Sequence, residues 1–182
     1  QADFGPCDAV TGNLTITGTD IVNLDGLADI IDIRGFLYVI DNPELTNLNG
    51  LGQLENVWST VAINNNDKLT GLDGLVGLLT IGQDLIINFN DGLTSLGGPP
   101  NLTSVGRDFW IRGNSVLTSV DGLSALVSVG SNAQGGSLNI WYNDALTSLS
   151  GLSNLTFIEA YLRIWVNNAL TNVDGLSSLD TV

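Results

Sequence analysis

The side chains in this sequence best suited to chemistry are aromatic and guanidinium groups set at a regular interval. Trp141 and Trp165 stand 24 residues apart, as do Asn139 and Arg163, and Trp110 and Arg112 occupy the same two offsets one interval earlier. Such groups recognise rather than transform. Indole and phenol faces stack on rings and apolar surfaces, and a guanidinium is drawn to the electron-rich face of a ring. The residues needed for bond-making are missing. There is no His, which excludes Ser-His-Asp and Cys-His catalysis together with the usual imidazole zinc and haem sites. The one cysteine, Cys7, can form neither an intrachain disulfide nor a thiolate metal site, which leaves a crosslink between subunits or pairing with a flanking segment. Several Asp residues recur along the chain, but without the spacing of a calcium loop, so no metal and no cofactor is expected.

Charge narrows the partners. The 182 residues carry 5 basic and 19 acidic side chains, a formal net charge of -14. Phosphate backbones would be repelled, so nucleic acid is not an expected partner, and acidic ligands are disfavoured on the same global argument. Mean hydropathy is +0.26, yet no apolar run approaches the ~18 residues that span a bilayer, so no membrane insertion is expected. The chain begins at Gln1 without Met, which fits a processed, secreted protein.

The elements that position these residues follow from an internal repeat. A phrase of the form L-x-I-x-x-N-x-x-L-T-x-L-x-G-L-x-x-L-x-x-V recurs, with coils starting at residues 13, 36, 60, 84, 108, 137 and 161. Residues 1–12 precede it as an N-terminal cap segment, and 13–182 read as one repeat domain. The single long interval holds a five-residue polar insertion, 131–135, expected as a surface loop.

Read by column, coil position 2 is Leu14, Leu37, Val61, Leu85, Phe109, Leu138 and Leu162, and position 4 is Ile16, Val39, Ile63, Ile87, Ile111, Ile140 and Ile164. This alternation of β-branched and apolar residues predicts a short strand per coil, stacked into a parallel sheet. A rhythm of three follows, as in Leu69, Leu72, Leu75 and Leu78, which suits a chain turning corners around a core. Position 7 is Asn42, Asn66, Asn90, Asn114, Asn143 and Asn167, expected to bond from coil to coil and to the backbone freed at the bend. Position 15 is Gly26, Gly50, Gly74, Gly98, Gly122, Gly151 and Gly175, often after Asp, and is expected as a corner with positive φ. The fourth coil carries Gly97-Gly98-Pro99-Pro100 there and should be irregular. A Thr column at position 11 is a single file, without the paired ranks of an ice-binding face.

These columns, and phrases such as Leu146-Thr147-Ser148-Leu149-Ser150-Gly151-Leu152, resemble the receptor L-domain group of leucine-rich-like β-helices. Ordinary leucine-rich repeats place one residue between the Asn and the next Leu, whereas two intervene here, as in Asn114-Ser115-Val116-Leu117. The resemblance implies an all-β, right-handed parallel β-solenoid of about seven 24-residue coils, extracellular or at the cell surface. It also implies a role in binding, adhesion or scaffolding rather than catalysis.

Two surfaces then become candidates. Positions 3 and 5 face outward from the strands and hold Tyr38, Ile40, Trp110, Arg112, Trp141, Arg163 and Trp165, with Tyr142 adjacent. Trp141 and Trp165 are expected to stack in register as part of a binding face for a glycan or another surface protein. The last coil carries Leu162, Ile164, Leu170, Val173, Leu176 and Leu179 with no amphipathic cap after them, so either the sequence is a fragment of a longer repeat or another copy docks there, and self-association end to end is expected. Sequons at Asn13, Asn101 and Asn154 are candidate glycosylation sites. The expectation is a non-enzymatic structural or adhesive repeat protein that assembles with itself. The alternative is a ligand-recognition module acting through its outward strand face.

Overall fold

Leucine, isoleucine and valine at alternate positions cannot bury themselves within one coil, so burial requires each coil to lie on the next. The computed structural model describes residues 8–130 and 135–182, to which every count here refers. In it the long strands Leu14–Ile16, Leu37–Ile40, Val61–Asn64, Leu85–Asn88, Phe109–Arg112, Leu138–Trp141 and Leu162–Trp165 form one parallel sheet in sequence order. The short strands Ala9–Val10, Asp32–Ile33, Asn56–Val57, Thr80–Ile81, Ser104–Val105, Ser128–Val129 and Phe157–Ile158 form a second parallel sheet, which begins inside the segment expected as a cap. The fold is therefore the expected parallel β-solenoid. Seven rungs bound six full turns from Leu14 to Leu162.

Register follows the columns. Leu14 pairs with Leu37, a step of 23 residues; Leu37, Val61, Leu85 and Phe109 follow at steps of 24. Phe109 to Leu138 is a step of 29, and Leu138 to Leu162 returns to 24. The long step spans the insertion, of which 131–134 lie outside the described residues. Cys7 lies outside them as well.

The rows of the three-residue rhythm are buried on the inner rungs: Leu45, Leu48, Leu51 and Leu54 in the second, Leu69, Leu72, Leu75 and Leu78 in the third. At about 1.5–3 kcal/mol for each fully buried aliphatic side chain, this interior is the main stabilising term of every rung. Phe109 fills the column held by Leu85 and Leu138 on either side, and is the largest fully buried side chain.

Polar groups at the bend are satisfied by the asparagine column. Each amide nitrogen donates to a strand carbonyl on the preceding rung, as Asn66 does to Val39, Asn114 to Ile87 and Asn143 to Ile111. Each side-chain oxygen accepts the backbone N–H of the Asn one rung earlier, from Asn42 to Asn66 up to Asn143 to Asn167. The first rung has Thr19 rather than Asn at this position, and Asn42 Oδ1, at the start of the column, is buried with no partner.

The glycine column works differently from its expectation. None of its seven members has positive φ. Six rungs instead carry a 3-10 turn here, Asp25–Leu27, Asn49–Leu51, Asp73–Leu75, Asp121–Leu123, Ser150–Leu152 and Asp174–Leu176, stacked so closely that a Cβ on Gly74 would run into the carbonyl group of Leu48. Absence of a side chain, rather than left-handed backbone, is what the position requires. The fourth rung, with Gly97 at φ 61 and Pro99 following, has no such turn, which is the expected irregularity.

Candidate functional site

Each four-residue strand of the long sheet turns two residues inward and leaves two outward, because successive side chains in a strand point to opposite faces. The outward residues of the fifth to seventh rungs are Trp110 and Arg112, Asn139 and Trp141, Arg163 and Trp165, paired across strands in that order. Lateral stacking of rungs thus brings together groups that are far apart in the chain. The Trp110 and Trp141 ring centres are 5.4 Å apart, and those of Trp141 and Trp165 are 5.2 Å apart.

The tryptophans are in register as expected, but they are not parallel stacks. Trp141 meets Trp165 at 60°, edge to face, and Trp110 at 46°. A ring's positive edge against a neighbour's negative face is preferred to a face-to-face sandwich.

Arg112 stands at the centre. Its guanidinium carbon lies 5.1 Å from the Phe89 ring, 5.7 Å from Trp141 and 5.9 Å from Tyr142. No salt bridge reaches it from any described residue, and its Nε is buried without an acceptor. Trp141 Nε1 and Asn88 Oδ1 are also buried and unpartnered, and Asn88 is the cross-strand neighbour of Arg112. Arg163 lies 4.4 Å from the Tyr161 ring and donates to Asn139 Oδ1 at 3.3 Å. A shallow concavity of about 500 Å³ is lined by Trp141, Leu162, Arg163, Ile164 and Trp165.

Phe89 was not among the residues singled out by sequence. It sits at coil position 6, immediately after the strand, where the column reads Asp41, Asn65, Phe89, Gly113, Tyr142 and Val166, all at φ between 52 and 66. Left-handed backbone suits Gly, Asn and Asp; an aromatic or β-branched residue there is a strained choice. Aromatic residues in a column that otherwise favours small polar ones were the signal available. Gly113 makes room for the result, since a Cβ there would meet the Phe89 ring at 2.6 Å. Phe89, Tyr142 and Trp165 are 44%, 42% and 46% exposed, so the rim of the cluster is open.

Other expected site residues lie elsewhere. Tyr38 stacks on Phe36 at 3.9 Å on the second rung, and Ile40 shares that rung, three rungs from Trp110. The fourth tryptophan, Trp58, is an exposed residue immediately after the short strand Asn56–Val57, with Arg34 5.5 Å from its ring. Asn13, Asn101 and Asn154 are all exposed. The amides of Asn101 and Asn154 make equivalent bonds to the preceding rung, to the carbonyls of Val76 at 3.0 Å and Ser124 at 2.7 Å.

On the seventh rung, Leu162, Ile164, Leu170, Leu176 and Leu179 are only partly buried, and Val173 is exposed, whereas their counterparts on inner rungs are sealed by the rung that follows. This is the face that any further rung, from this polypeptide or another, would cover.

No protein-family model, curated protein or solved structure matches the chain.

Proposed function

We propose that this protein is a non-enzymatic, extracellular recognition module whose ligand face is the outward side of the long sheet around Arg112. The observation that carries the reading is a contiguous, half-open aromatic cluster built about a guanidinium with no acidic partner among the described residues. Exposed aromatic surface of this extent is unfavourable for a monomer unless something uses it, and Trp, Tyr and Arg are the side chains that dominate contact energetics. Glycans fit such a face, since sugar C–H surfaces lie on indole rings while hydroxyls bond at the rim. The resemblance of the repeat to receptor L-domains supports an extracellular setting and a binding role without supplying a ligand.

A glycan array probed with the wild-type chain and with a W141A/W165A double variant tests this. The expected result is a set of retained glycans that the folded double variant fails to hold. Retention unchanged by the double substitution, or an array with no retained glycan, overturns the glycan reading.

The second reading is assembly of copies of this chain into a structural or adhesive array. Its observation is the exposed aromatic rim of Phe89, Tyr142 and Trp165, which a second copy would cover. Sedimentation velocity is the measurement: rods or larger species favour assembly, and a monomer across a wide concentration range refutes it.

A further inference from the structure

We infer a second ligand site, for a neutral saccharide, on the short sheet around Trp58; it does not require the Arg112 face to bind anything. Val57 is buried, so Asn56 and Trp58 on either side of it point outward. Asp32 pairs with Asn56, and Asn56 with Thr80. The ladder continues past the strand ends, where the Trp58 N–H donates to the Ile33 carbonyl and the Gly82 N–H to that of Val57. Three rungs thus set out a grid of two columns, Asp32, Asn56 and Thr80 in one and Arg34, Trp58 and Gly82 in the other.

The second column builds a stacking platform. Arg34, on the first-rung side, holds its guanidinium carbon 5.5 Å from the Trp58 ring centre and props the indole from that side. On the third-rung side Gly82 brings no side chain. A Cβ there would run into the Trp58 carbonyl, so the close stacking of rungs demands glycine and leaves the indole uncovered on that side. The result is a cleft of about 320 Å³ lined by Asn56, Val57, Trp58, Thr80 and Gly82, with Trp58 60% exposed as its wall.

The first column selects the class. The Asp32 carboxylate only accepts, so the Asn56 Nδ2 that donates to its Oδ1 at 2.7 Å fixes the orientation of the Asn56 amide. Asn56 Oδ1 is thereby turned to Thr80, whose hydroxyl donates to it at 2.7 Å. What remains along the row is an acceptor on Asp32, the second amide hydrogen of Asn56 and a lone pair on the Thr80 hydroxyl. Thr80 is exposed, Asp32 and Asn56 are half-buried, and none of their atoms is among the sealed groups that lack a partner, so a ligand meets this row without the structure opening. A carboxylate or phosphate satisfies only the donor and is repelled by Asp32, and an ammonium satisfies only the acceptors. Hydroxyls, each able to donate and accept, satisfy all three. Several hydroxyls on a ring whose C–H face lies against an indole describe an uncharged sugar.

The test is an array of neutral and acidic glycans probed with the wild-type chain, W58A, T80R and the W141A/W165A double variant. T80R fills the cleft from an exposed position while keeping the indole, so it reports on the site even if W58A folds poorly, which urea denaturation checks. The expected result is a set of neutral glycans held equally by the wild type and by W141A/W165A, and at least about tenfold more weakly by W58A and by T80R. Absence of any glycan whose retention falls in both W58A and T80R overturns the site, whatever W141A/W165A shows, and loss confined to W141A/W165A leaves the Arg112 face standing alone. If the glycans that depend on Trp58 are the acidic ones, or if decaproline peptide displaces the neutral ones as well as the free sugar does, the neutral-saccharide assignment is overturned.

Discussion

Asn90 Nδ2 lies 2.9 Å from the carbonyl oxygen of Ile63, a residue 27 positions earlier and one rung down. The same side chain accepts the backbone N–H of Asn66 at 3.1 Å. One amide therefore closes two backbone groups that the bend has removed from the sheet, and its repetition from Asn42 to Asn167 makes a continuous internal column.

Asn90→Ala should be among the most damaging single substitutions in the molecule. It leaves the Asn66 N–H and the Ile63 carbonyl buried without those partners, for an expected loss of about 3–5 kcal/mol. Urea denaturation checks this, with the midpoint shifted down; a loss below about 1 kcal/mol would mean that the column is decorative.

Gly74→Ala tests why glycine recurs in the 3-10 turns. The added methyl would enter the Leu48 carbonyl on the rung below, and neither backbone can move without opening the stack. We expect destabilisation of at least about 3 kcal/mol by overpacking. A tolerated alanine would show that neighbouring turns can separate.

Val166→Asn should stabilise. Val166 holds φ at 52°, a region where L-residues are strained by about 1–2 kcal/mol and which Asn tolerates far better. The residue is 38% exposed, which limits the apolar burial lost in exchange. A melting temperature raised by a few degrees is the expected reading, and a fall would mean that the Val166 side chain contributes more than its backbone strain costs.

Lys68→Ala should matter little. Lys68 and Glu44 form an ion pair between adjacent rungs, but their side chains are 55% and 44% exposed. Solvent and salt screen such pairs, and the expected change is below about 0.5 kcal/mol. A larger loss would assign the pair a role in holding rungs together.

What was legible beforehand is whatever recurs. The columns Leu37–Val61–Leu85–Phe109 and Asn42–Asn66–Asn90–Asn114 can be read from spacing alone, because a stacked rung offers the same environment at each turn, and the structure has them in register. The outward set Trp110, Arg112, Trp141, Arg163 and Trp165 was legible for the same reason. Phe89 was missed because the corner column looks like a turn, where composition is expected to vary. The glycine column was found but given the wrong cause: Asp-Gly suggests left-handed backbone, and only the separation between stacked turns reveals that a Cβ has no room.

Periodicity by itself determined the rungs, their register and their interior, since burying one apolar stripe per coil admits a single mode of stacking. Only the tertiary structure decided the edge-to-face meeting of Trp141 with Trp165 and the three rings around Arg112. It also decided that buried donors and acceptors on Arg112, Trp141 and Asn88 lack partners. Ring tilt and hydrogen-bond satisfaction depend on distances between side chains of neighbouring rungs, and a repeat pattern specifies which residues are neighbours but not how they meet.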